Sequence, residues 1–293
     1  MTEFSPIPIE NIGTAKRLCE PVCVELCVGV DGLFGHHAMA MLFAVADCHF
    51  LVTCRHAVHD VVSRGAGLWV ADDSKPGKAF ALTPKFHFAH SDLHDLAVMK
   101  LPDDFVRHFS SHRFARAIDT HSSFQPEGIS CVMAGAVASE CETWEADVTA
   151  DDKKLKTTIF IGRTTSVASD SDYIDDNLHF LITADNLVAN CEPNGETREP
   201  PDSFRGLSGT PVFAVNENPF VENWNAHDCK IIGIQSAVIK LYKEKRVVMR
   251  VMRIEWMFDA IRQLFPSTAE TLDKMIPITV SKRLNQIIIP NAG

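Results

Sequence analysis

Short apolar runs separated by turn residues recur from residue 22 onward, and stretches of helical period are sparse. The runs place strands at 22–30, 38–46, 49–53, 67–71, 79–83 and 96–100, enough for one small barrel or sandwich. A polar stretch rich in Ser and His, 110–125, reads as a linker between two lobes. Beyond it, runs at 129–134, 145–149, 157–161, 179–183, 211–215, 231–238 and 246–252 predict a second β lobe. One segment breaks the pattern. IEWMFDAIRQLF, 254–265, sets Ile254, Met257, Phe258, Ile261 and Leu264 at helical spacing, Pro266 stops it, and the second lobe is its expected seat.

The predicted organisation is mostly β: an extension over 1–21, a first lobe over 22–115, a linker over 116–127, a second lobe over 128–253, and a C-terminal helix and tail over 254–293. The tail, with Ile287, Ile288, Ile289 and Pro290, is open between an added strand and a partner contact. No repeat of fixed period and no low-complexity tract is present.

Composition narrows the partners more than the fold. Apolar residues are 46 % and charged residues 23 %, which suits a folded globular chain. A formal net charge of −10 disfavours nucleic acid and anionic membrane alike. The first 17 residues lack the unbroken apolar stretch of a secretory signal, and the longest apolar run, 38–46, is about half a membrane span. A cytoplasmic location without membrane insertion is expected. The nine cysteines form no paired CxxC motif and are read as buried thiols; Cys19, Cys23 and Cys27 share a spacing that could hold zinc on a helix, but Pro21 and VCVELCVGV favour a strand there.

Three local motifs carry chemistry. FLVTCRHAV runs from an apolar strand into a turn bearing His56. HDLAVMKL opens on Asp95 at the head of a run apolar enough to be buried, where a carboxylate needs hydrogen-bond partners. GLSGTPVF sets Ser208 between Gly206 and Gly209, ahead of another strand. Alone, each has a plain structural reading as a strand-end histidine, a capping aspartate or a turn serine. Together they fall in the order His, Asp, Ser.

In these residues the chain resembles the chymotrypsin-like (trypsin-like) serine peptidases. VTCRHAV is similar to the family's threonine-x-x-histidine segment, DLAVMKL to its aspartate-led strand and GLSGTPVF to its serine turn. The resemblance orders the chain from about residue 22 to residue 262. It implies two six-stranded β-barrels with the site in the cleft between them, and a peptide-bond hydrolase acting on protein or peptide substrates without cofactor or metal. It implies Ser208 as nucleophile, His56 as base and then acid, Asp95 as the group orienting His56, and the amides of Gly206 and Ser208 as oxyanion donors. In the family strand matched by IGIQS a serine touches the aspartate; Ser236 would be that serine, and Val238 would narrow the specificity pocket. Asp202 or Ser203 could lie at the pocket base, the first suiting a basic and the second a small side chain, although an exposed loop aspartate fits Asp202 as well.

Departures matter too. Secreted zymogens carry aspartate before the serine, where this chain has Leu207, and Cys54 precedes His56 rather than following it. These point to the intracellular, non-zymogen type of bacteria and viruses, restrained by a regulatory partner, an effector or a disordered oxyanion turn; the acidic segment 139–205 is a candidate for that control.

Two rival readings remain. The fold could serve a peptide-binding pseudopeptidase. A metal hydrolase is suggested by 11 of 13 histidines falling within 36–121, with His56-x-x-His59 and His87-x-x-His90-x-x-x-His94, but neither has the HExxH form.

Overall fold

Residues 38–45 are apolar without a break because both faces of that strand are covered. Ala38, Ala40 and Leu42 join a cluster drawn from the first lobe, whereas Met41, Phe43 and Val45 face a layer shared between lobes. The same alternation divides Leu51 from Phe50 and Val52, and, in the second lobe, Val212 and Ala214 from Phe213 and Val215. Period-two patterning is present but invisible as polarity, since the side away from each barrel is a second core. A side chain fully buried there contributes about 1.5–3 kcal/mol.

The computed structural model describes residues 9–275 except 31–32, 72–78, 83–86, 89–93, 122–127, 142–143, 146–156, 166–173, 184–187, 191–196, 199–200, 202, 216–224, 226–228 and 242–245. The first sheet holds β1 (Cys23–Val30), β2 (Leu33–Val45), β3 (Cys48–Cys54), β4 (Gly67–Ala71), β5 (Ala79–Leu82), β6 (His87–Phe88) and β7 (Leu96–Leu101), in the order β5-β4-β1-β2-β3-β7-β6. Its two end strands are separated in sequence by residues 83–86 alone, so the sheet curls into an unclosed barrel. The second sheet has β8 (Ser130–Ala136), β10 (Thr157–Thr165), β11 (His179–Thr183), β14 (Pro211–Val215), β15 (Lys230–Leu241) and β16 (Arg246–Arg253), and the β10–β11 pairing closes it into a six-stranded ring. Strands β12 (Val188–Asn190) and β13 (Thr197–Arg198) extend that sheet beyond β10, and β9 (Trp144–Glu145) crosses to pair with β2. The architecture is the mostly β double barrel with a C-terminal helix.

Among the described residues five α-helices flank the sheets: α1 (Ile9–Cys19), α2 (Arg55–Ser63), α3 (Asp103–Val106), α4 (Ile254–Leu264) and α5 (Ala269–Met275). Helix α1, where the sequence pattern gave only an extension, buries Ile12, Ala15 and Cys19 in the inter-lobe layer. Helix α4 follows its predicted apolar stripe and packs against β15 and β16 of the second lobe, and it also reaches the first: the Phe258 ring lies 5.7 Å from Phe43, and Phe265, just after the helix, lies 5.0 Å from Phe50. Cys19 ends α1 while Cys23 and Cys27 lie on β1, so the three do not share a helix face. The polar connection is also anchored, since Ala115 exchanges backbone hydrogen bonds with Leu42 and Ala44, and His121 N–H donates to Ile231 O. The tail residues 287–290 lie outside the described residues.

Candidate active site

Strand β3 ends at Cys54, and the chain turns at once into α2, so His56 stands in the first turn of a helix rather than in a bare turn. Asp95 sits just ahead of β7, which pairs with β3 in a register that sets Cys54 opposite Leu96. Adjacent strand ends therefore carry His56 and Asp95 together. Asp95 has φ +41°, a left-handed conformation that Asp tolerates better than most side chains. Its carbonyl accepts from Arg55 N–H at 3.0 Å, and its Oδ1 accepts from His56 N–H at 3.0 Å. The imidazole Nδ1 lies 2.8 Å from Asp95 Oδ2, and Nε2 lies 3.0 Å from Ser208 Oγ. A continuous row from buried carboxylate to hydroxyl results, spanning both lobes.

Ser208 stands on a turn tied down from several sides. Its carbonyl accepts from Met39 N–H on β2 at 2.9 Å, and Gly209 N–H donates to Gln235 O on β15 at 2.9 Å. Gly206 and Gly209 adopt φ +101° and +96°, where a side chain is strained. A Cβ on Gly209 would also collide with Met39 O and Thr53 Oγ1, and one on Gly206 would come 2.6 Å from His36 Nε2. Leu207 is fully buried in the apolar cluster of the second barrel, 0 % exposed. The residue that departs from the zymogen pattern thus anchors the turn by burial instead of by an ion pair.

His36 supplies a second anchor. Both its ring nitrogens face oxygen acceptors: Nε2 lies 3.0 Å from both Ala136 O and Gly206 O, and Nδ1 lies 2.9 Å from Glu25 Oε1. Arg205 O accepts from Ala138 N–H at 2.8 Å. With both flanking carbonyls held and the peptide trans, the Gly206 amide points to the side opposite Ala138. Among the described residues no backbone carbonyl takes the amide of Gly206 or of Ser208. Sequence reasoning missed His36; the only signal was a His-His pair leading into an apolar run.

Burial pulls the His56 imidazole down, but the hydrogen bond and charge of Asp95 outweigh it, Asp60 adds to them and Arg250 opposes them, and the net movement is upward from the ordinary 6.5. Half-buried His37, whose Nε2 donates to Ala57 O at 2.7 Å, is pushed down, chiefly by burial. Burial also pushes the Cys54 thiol well up, with Asp95 adding to the effect. Cys54, His56 and Asp95 form the one group of metal-ligand type among the described residues, yet the buried thiol donates to Gln235 O at 3.2 Å and is not disposed to ionise.

His56, Asp95 and Ser208 open on a cavity of about 510 Å³ whose wall includes Ser203, Ser236 and Val238. Gly206 lies beside it in the serine turn, while Asp202 lies outside the described residues. One expected contact is replaced. Ser236 Oγ meets Arg250 rather than Asp95: it accepts from Arg250 Nε at 2.9 Å, and Arg250 reaches Asp95 Oδ2 at 3.3 Å. Arg250 went unnoticed in the sequence, although a lone arginine inside an apolar strand marks a buried charge in need of partners. Exposed Arg205 and Lys240 also line the cavity, as does buried Gln235, whose Oε1 has no hydrogen-bond partner among the described residues.

No family model matches the chain, and no curated protein matches it. Among solved structures, the serine protease domain of the Sesbania mosaic virus polyprotein is similar at 14 % identity, over 81 % of this chain and 90 % of that one, with a TM-score of 0.42. Deg5 is similar at 13 % identity, over 84 % and 90 %, with a TM-score of 0.44. The double barrel is established by the strand order of the two sheets themselves.

Proposed function

We propose that the chain is a serine endopeptidase of the chymotrypsin-like type, acting through Ser208, His56 and Asp95. The row of contacts at 2.8 and 3.0 Å from Asp95 through His56 to Ser208 carries the reading. In the reaction, Ser208 Oγ attacks the substrate carbonyl carbon while His56 Nε2 takes the hydroxyl proton. Asp95 keeps Nδ1 as the protonated nitrogen and offsets the imidazolium charge. Charge gathering on the carbonyl oxygen is met by the amides of Gly206 and Ser208, a donor type worth roughly 3–4 kcal/mol each in enzymes of this chemistry. His56 then delivers its proton to the leaving amine, the C–N bond breaks, and water releases the acyl group by the reverse proton route. Ser203, Ser236 and Val238 would shape the side-chain pocket, and Gln235 Oε1 offers an acceptor to a substrate donor.

The setting we propose is cytoplasmic, with control by a protein partner or effector. No disulfide joins any two of the described cysteines, and no described helix is long and apolar enough to cross a membrane. A fluorophosphonate probe should label the protein, and Ser208→Ala should abolish the label. A cleavage-site profile in lysate, compared with Ser208→Ala, then reports the substrate. Absence of labelling under every tested condition supports the peptide-binding reading instead.

A further inference from the structure

Strand β15 carries a bulge opposite Arg250. Gln235 pairs with Val251 and Ala237 with Arg250, which leaves Ser236 as the extra residue. The bulge lets the Ser236 hydroxyl fold against its neighbour, donating to Arg250 O at 3.3 Å and accepting from Arg250 Nε at 2.9 Å. The guanidinium is thereby aimed across the lobe boundary, where its Nη2 meets Asp95 Oδ2 at 3.3 Å, with both side chains 7 % exposed. The Asp95 oxygen facing His56 Nδ1 at 2.8 Å therefore also carries a buried cation from the other barrel.

We propose that Arg250 is a positioning residue for the acid–base step, fixing the Asp95 carboxylate between the two lobes and limiting how strongly that carboxylate holds a proton on His56. This rests on the peptidase reading above. A carboxylate shared between two cations gives less stabilisation to either, and a guanidinium this close to the imidazole opposes its protonation directly. The other groups bearing on His56 are Asp95 and Asp60, which favour the imidazolium. Also near are the Cys54 thiol just before it and half-buried His37, itself beside Arg205 and His36. Arg250 is the buried cation of the set, so its removal has a definite sign: the imidazolium is favoured, and His56 stays protonated to higher pH.

The test follows the rate of fluorophosphonate labelling across pH 5 to 9, with a parallel NMR titration of the His56 ring, in wild type, Arg250→Met, Arg250→Lys and Ser236→Ala. Arg250→Met should move both the acid limb and the His56 midpoint upward by on the order of one pH unit. Arg250→Lys keeps the charge but loses the two-pronged grip, so its acid limb should stay near wild type while its plateau falls roughly tenfold. Ser236→Ala should lower the plateau in the same way, since it frees the guanidinium. If Arg250→Met is folded and its acid limb and His56 midpoint coincide with wild type, the proposal is overturned. If Arg250→Met does not fold, the other two variants decide: lowered plateaus support it, and rates equal to wild type overturn it. A wild type that never labels while His56 still shifts in Arg250→Met refutes the peptidase reading and leaves the coupling between Arg250 and His56 standing.

Discussion

The two barrels are wired alike and yet fix their parts of the site by opposite means. In each, three successive strands pair in order, the fourth returns to pair with the first, and the last pairs with the third. No repeat in sequence accompanies this. The first barrel presents His56 and Asp95 from strand ends and holds them with polar contacts, including a cation lent by the second. The second presents Ser208 on a turn whose main anchor is the apolar Leu207 side chain, with carbonyl contacts from His36 and Met39. A buried charge needs a partner in place, because leaving it unpaired costs several kcal/mol. A neutral turn carries no charge to pair, so apolar burial holds it while hydrogen bonds satisfy its peptide groups.

The largest effect expected on this contrast is chemical. Ser208→Ala should reduce hydrolysis by about 10⁴- to 10⁶-fold with no change in melting temperature, measured by peptide cleavage and calorimetry. Leu207→Asp comes next, since a carboxylate placed in the second barrel's core should prevent that barrel from folding, seen as lost near-UV dichroism. Leu207→Ala should fold but lose about 2–5 kcal/mol in denaturant unfolding. If both Leu207 variants were as stable as wild type, burial would not be what holds the turn.

His36→Ala leaves the Gly206 carbonyl without its donor. A fall in kcat of about 10- to 100-fold with KM changed less than about threefold is expected, since the group acts on the turn rather than on bound substrate. The smallest effect concerns pH. In the proposed reaction His56 acts as base only when neutral, and its neighbours raise it from the ordinary 6.5, so activity should rise with pH through a midpoint above the ordinary histidine value. Asp60→Asn should lower that midpoint by roughly a few tenths of a unit at low salt, and by less as salt screens the exposed charge.

Much of this was legible in the chain because it is local. Each motif sits where an apolar strand meets a turn, and the periodicity of 254–265 announces α4. Helix α2 was not legible, being nine residues long and rich in valine. Helix α1 hid its stripe of Ile12, Ala15 and Cys19 around Gly13. The two-residue strand β6 and the short β12 and β13 lie below what alternation can signal. Arg250 and His36 were missed for another reason: their partners, Asp95 and Gly206, stand 155 and 170 positions away.

What the sequence determined by itself is the supply of parts: mostly β segments, one C-terminal helix, and a histidine, an aspartate and a glycine-flanked serine at strand ends. Steric and hydrogen-bonding preferences over a few residues suffice for that. Tertiary structure decided how those parts are held. Whether Ser236 touches Asp95 or yields the place to Arg250 depends on a bulge between two strands and on the approach of two barrels. The field at His56 sums charges brought together from distant segments, and only the folded chain fixes their distances.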